Sequence, residues 1–120
     1  MLNLRTVAPP LGFNAWNAFH CAVSERLVMQ TADALVASGL RDLGFTFVNL
    51  DDCWMVERGA DGRITPDPVR FPSGIKALAA YVHSQNLSFG LYTAPDKTTP
   101  QGRPGLYQHE ALDVASFCEW

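Results

Sequence analysis

Apolar residues recur along this chain with two periods, and the switching between them outlines its elements. In SERLVMQTADALVASGL (24–40), Leu27, Val28, Ala32, Leu35 and Val36 fall at helical spacing. Ser24 is placed to cap the first turn, Glu25 suits the positive end of the helix, and Gly39 marks its stop. In SGIKALAAYVHSQN (73–86), Ile75, Leu78, Ala79 and Val82 stand at i, i+3, i+4 and i+7, with Ser73 as N-cap and Asn86 as C-cap. A third helix opens in HEALDVASFCEW (109–120), with Ala111, Val114, Ala115 and Cys118 on one stripe. Between these lie strand-like stretches. PLGFNAW (10–16) is a short start rich in aromatics, and FTFVNL (45–50) carries apolar residues on both faces, as a strand covered on both sides does. LSFGLYT (87–93) is the third. The segments 57–74 and 93–105, dense in Gly, Pro and Asp, are expected to be loops, with a turn at Asp61-Gly62.

The order βαβαβα predicts an α/β fold with a parallel sheet and right-handed crossovers. Three βα units leave two bare sheet edges. A flavodoxin-like sheet usually has about five strands, and a closed barrel has eight in roughly 250 residues. The last helix reaches Trp120 with no stop signal. The chain therefore reads as the first part of something larger.

Composition changes this picture little. With 120 residues, 48% apolar, 18% charged and a net charge of −3, the chain is of the folded, single-domain class. No basic block invites nucleic acid or an anionic membrane surface, and no apolar run spans a bilayer. MLNLRTVAPP lacks the apolar core of a secretory signal. Cys21, Cys53 and Cys118 match no zinc spacing. Composition alone favours three free thiols in a reducing compartment over one bridge and an odd thiol.

Candidate chemistry sits at the carboxyl ends of the predicted strands, where ligands bind in parallel α/β folds. The first strand ends in Asn14-Ala15-Trp16-Asn17, the second in Asp51-Asp52, the third in Tyr92-Thr93. Two adjacent carboxylates are costly unless donors or cations satisfy them. Sugar hydroxyls are such donors. A turn cap, a Mg²⁺ or Ca²⁺ site and an acid/base couple are the other readings, although no further acidic ligands cluster nearby. Trp16 and Trp54 are either platforms for a sugar face or packing residues, and Tyr92 shares that ambiguity. His109 reads as a structural residue at a helix start.

Four segments carry a resemblance when taken together. PPLGFNAWNAFHC, TADALVASGLRDLGFTFVNLDDCW, FPSGIKALAAYVHSQNLSFGLYT and PGLYQHEALDVASFCEW resemble, in this order, the amino-terminal region of the α-galactosidases of glycoside hydrolase family 27. That family also includes α-N-acetylgalactosaminidases. The resemblance implies that this chain is about three βα units of a (β/α)₈ TIM barrel, incomplete at Trp120, with further strands and a carboxyl-terminal β domain beyond. It implies a retaining hydrolase of terminal α-galactosyl groups, with small-molecule or oligosaccharide α-galactosides as partners, no nucleic acid, no membrane and no cofactor or metal. The nucleophile and acid/base aspartates of the family come from later strands and are expected after Trp120.

Carried over residue by residue, Trp16 matches the tryptophan along the galactose ring. Asp51 and Asp52 match the pair that accepts from sugar hydroxyls, and Tyr92 matches a pocket-lining tyrosine. Cys21 and Cys53 match a family disulfide, which points to an extracellular, lysosomal or vacuolar setting. Cys118 stands where the family has a small apolar residue and is expected to be a buried thiol. The family pattern YTxxGxxTC has Gly and Cys where YTAPDKTTP has Asp96 and Pro100. The bridge made by that cysteine cannot form here. These two positions motivate an alternative: a catalytically inactive, carbohydrate-binding member.

Overall fold

The computed structural model describes residues 9–120. The stretch MLNLRTVA, read above for a leader, lies outside the described residues. Three strands, β1 (Leu11–Asn14), β2 (Phe45–Leu50) and β5 (Ser88–Leu91), form one parallel sheet in the order β1-β2-β5. The register sets Asn14 opposite Asn49, and Asn49 opposite Gly90. Helices α2 (Glu25–Ala37) and α3 (Gly74–Ser84) cross between successive strands, as the periodicities predict.

Both helices bury the predicted stripes. Val28, Ala32 and Leu35 of α2 and Ile75, Leu78, Ala79 and Val82 of α3 are buried, together with Val48 and Leu50 of β2. Each Val, Leu or Ile among them contributes ~1.5–3 kcal/mol by leaving water. The other face of β2, with Phe47 and Asn49, is only half-buried, so the strand is less evenly covered than its composition suggests.

The Ser24 hydroxyl caps α2 by accepting from the Leu27 N–H at 3.3 Å. Gly39, at φ 78°, takes the left-handed turn that ends it. Ser73 behaves otherwise. Its hydroxyl makes no cap bond; it donates to Glu25 at 3.2 Å, and its N–H donates to the same carboxylate at 2.9 Å. The start of α3 is thus tied to the start of α2. Asn86 lies one residue beyond the C-cap Gln85, in left-handed backbone at φ 58°.

Segment 57–74 is not all loop. Strands β3 (Met55–Arg58) and β4 (Ile64–Pro66) pair antiparallel, and Gly62 supplies φ 82° in the turn between them. This hairpin docks on helix α4 (Glu110–Glu119) and corrects the expected face of that helix. Ala111, Val114, Ala115 and Cys118 are exposed, whereas Asp113 and Ser116 are buried. Arginines from the hairpin explain the reversal. Arg58 grips Asp113 through two parallel bonds, 2.8 and 2.6 Å, and also donates to the carbonyls of Gly62 and Gly105. Arg63 reaches Ser116 at 3.1 Å and Glu119 at 2.8 Å. Cys118 is consequently an exposed free thiol, not a buried one.

Candidate functional site

Asn14 closes β1 and works in two directions. Its Oδ1 accepts from the Trp16 N–H at 2.9 Å, which turns the chain into the short helix α1 (Trp16–Phe19). Its Nδ2 donates to Asp51 Oδ2 at 2.9 Å, across to the end of β2. On the far side, the Tyr92 N–H donates to the Leu50 carbonyl at 2.9 Å and carries the pairing of β2 and β5 one residue past the strands. The three strand ends are thereby laced together.

A cavity of about 230 Å³ opens there, lined by Asn14, Asn49, Asp51, Gly90 and Tyr92. Gly90 gives Asn49 its place here: a Cβ on it would stand 2.1 Å from Asn49 Oδ1 and force that side chain to move. The lining pairs a carboxylate acceptor with amide and phenol groups that both donate and accept. Burial first, then the negative charges of Asp52 and Asp51, push the Tyr92 hydroxyl above its ordinary titration range. It therefore stays protonated and able to donate.

Of the four sequence-predicted binding residues, the structure brings Asp51 and Tyr92 into this cavity. Asp52 follows Asp51 but is 2% exposed, and its carboxylate is engaged by the segment after β5. It accepts from the Thr99 hydroxyl at 2.9 Å, the Cys53 N–H at 2.6 Å and the Gln101 N–H at 3.3 Å. Trp16 does not line the cavity. Its half-buried indole meets His20 edge-on at 5.2 Å. Trp54, weighed above as a platform, is wholly buried core. It packs on Phe117 and Trp120, and its N–H donates to the Tyr92 carbonyl at 2.9 Å, so it steadies the strand end from behind.

Cys21 and Cys53 form a disulfide with Cα atoms 5.2 Å apart. Arg70 braces it, donating to the carbonyls of Cys21, Val23 and Cys53 and to Asp67 Oδ2. The Arg70 backbone N–H, with its guanidinium next, holds the Asp67 carboxyl below its usual range. Sequence reasoning passed over Arg70, Thr99 and Gln101. Asp67 three residues before Arg70 was the one local hint; Thr99 and Gln101 gave none.

A larger groove, about 500 Å³, runs between β3 and segment 97–109 and contains none of the four predicted binding residues. His109 lines it and occupies the N-cap position of α4 without a side-chain cap bond. Among the described residues no three His, Cys, Asp or Glu side chains gather as a metal site, and no helix is long and apolar enough to cross a membrane.

Known proteins resemble this chain in sequence and fold. The chain is 46% identical over 114 residues to an α-galactosidase of Cyamopsis tetragonoloba, covering 93% of this chain and 28% of that relative. It is 46% identical over 128 residues to the α-N-acetylgalactosaminidase of Rattus norvegicus, covering 98% of this chain and 30% of the relative. The structure of an α-galactosidase from Saccharomyces cerevisiae with raffinose matches at a TM-score of 0.91 and 37% identity, over 92% of this chain and 25% of that one. The chain thus spans less than a third of the length of these relatives. The family model described as alpha galactosidase A matches residues 8–120. With nearly the whole chain matched, its parallel strands and its Cys21–Cys53 bridge in place, this protein belongs to the alpha galactosidase A family.

Proposed function

We propose that this chain is the sugar-binding, amino-terminal part of a (β/α)₈ retaining α-galactosidase. It supplies the floor on which a terminal α-linked galactose rests. The observation that carries the reading is the cavity at the strand ends, where Asp51, held by Asn14, faces Tyr92. A hexose presents hydroxyls as donors, and an ionised carboxylate accepts them through strong, charge-assisted bonds. Asp51 binds the sugar, Asp52 contributes from beside it, and Trp16, outside the cavity itself, offers an apolar ring to the sugar. The bond is broken by two aspartates from later strands, one as nucleophile and one as acid/base. Bridge and family together favour an extracellular, lysosomal or vacuolar setting.

The test uses the full-length protein carrying this chain. It is expected to bind galactose and to hydrolyse p-nitrophenyl α-galactoside, and Asp51→Ala is expected to lower galactose affinity by tenfold or more, about the worth of one lost charge-assisted bond. Neither binding nor turnover in a folded sample overturns the proposal. A second reading, an inactive carbohydrate-binding member, draws on Asp96 and Pro100. Galactose binding without turnover is its signature.

A further inference from the structure

We propose that Asn49 is a further binding residue of the strand-end cavity, its amide donating to one hydroxyl of the sugar. The proposal rests on the galactose-site reading above. Asn14, Asn49 and Gly90 stand side by side in the register of the three parallel strands. Asn49 belongs to the half-buried face of β2, and Asp51, two residues on, continues that face into the cavity. The neighbouring amide of Asn14 is engaged at both ends, by the Trp16 N–H and by Asp51. The Asn49 amide also lines the cavity and holds no hydrogen-bond partner among the described residues.

Gly90 settles where that amide lies. Its backbone is ordinary strand, so no left-handed conformation calls for glycine. Contact calls for it instead: the three atoms that a Cβ there would approach most closely all belong to the Asn49 side chain, Oδ1 first. Oδ1 therefore rests over Gly90, and the two protons of Nδ2 are left without an acceptor. The cavity then holds a group that only accepts, Asp51, and a group that only donates, Asn49 Nδ2. A hydroxyl suits both, because it gives its proton to a carboxylate and takes one from an amide. One hydroxyl, or two on neighbouring ring carbons, can serve the pair. A site built to bond a hydroxyl rejects the analogue lacking it, since its own polar group is left unpaired. Asn49 thus adds to the acceptor of this site a donor that tells one hydroxyl from its absence.

The test measures, by calorimetry on the full-length protein, the affinity for galactose and for its singly deoxygenated analogues. Asn49→Ala is expected to weaken galactose about three- to tenfold, the worth of one neutral hydrogen bond. It is also expected to shrink the penalty for one deoxy analogue by that same factor, leaving the penalties for the others as they were. Gly90→Ala, whose methyl group displaces the amide without removing it, is expected to reproduce both effects and to add little to Asn49→Ala. Unchanged galactose affinity in Asn49→Ala overturns the proposal. So does a loss spread evenly over galactose and every analogue, which is the mark of a merely structural side chain. If Asn49→Ala does not fold, Gly90→Ala decides by the same two criteria, since its new methyl group meets Asn49 first. Absence of galactose binding in the unsubstituted protein overturns the galactose-site reading and this proposal with it. Intact binding with an indifferent or evenly weakened Asn49→Ala overturns this proposal alone.

Discussion

Arg58 and Asp113 show how much one residue pair carries. The carboxylate is wholly buried, and the guanidinium meets it with two bonds while also satisfying two backbone carbonyls. Removing one partner leaves the other charge buried without compensation. Arg58→Ala is expected to cost about 3–5 kcal/mol in chemical denaturation. Replacing both, with Arg58→Met and Asp113→Leu, is expected to recover only part of that loss, because the Gly62 and Gly105 carbonyls still lose their donor. Asp67 gives the corresponding pH prediction. Its folded titration lies below the ordinary value of 3.8, so the stability it confers is full above that value and drains as pH falls through the lower, folded one. Melting temperatures between pH 5 and 2 are expected to fall more gently in Asp67→Asn than in the unsubstituted protein.

Among the elements, the disulfide is the clearest brace. It closes a separation of 32 residues spanning α2 and β2, and Arg70 fastens a third segment to it. On the chain-entropy argument, Cys21→Ser with Cys53→Ser is expected to cost ~3–4 kcal/mol, read by urea denaturation under oxidising conditions. The elements the sequence reveals and those it hides differ in a physical way. Helices α2 and α3 and the three parallel strands announce themselves because their apolar partners recur within each segment. The hairpin has strands of four and three residues, one ending in Pro66, too short for alternation to register. Helix α4 misleads because its two fully buried positions, Asp113 and Ser116, are polar, and their partners Arg58 and Arg63 lie more than fifty residues away. The site divides likewise. Asp51 and Tyr92 follow from their places at strand ends, whereas the engagement of Asp52 depends on Thr99, a residue no local pattern singles out.

At the scale of the whole molecule, no further strand among the described residues pairs with β1 or with β5 at the two sides of the sheet. The β1 side exposes Leu11, Phe19 and Leu40, and Phe13, Phe19, Leu35 and Leu40 line an apolar hollow of about 400 Å³. On the opposite side, α4 turns Val114 outward, 56% exposed. Unpaired strand edges and apolar rims of this kind associate or invite proteolysis. The chain of residues 1–120 by itself is therefore expected to self-associate in light scattering and to hydrolyse no p-nitrophenyl α-galactoside. A monodisperse, protease-resistant monomer of these residues would argue for a free-standing domain instead.

The stretch Asp51-Asp52-Cys53-Trp54 sends four consecutive side chains to four destinations: the cavity, the Thr99 turn, the bridge to Cys21 and the aromatic core beside Phe117. Each destination is fixed from outside the stretch, so no side chain here can exchange places with its neighbour. Individual substitutions then do graded damage, one destination at a time. Inserting or deleting a single residue displaces all four at once, because the chain has no slack between β2 and β3 to absorb the slip. Among related sequences this stretch should vary in letters more readily than in length.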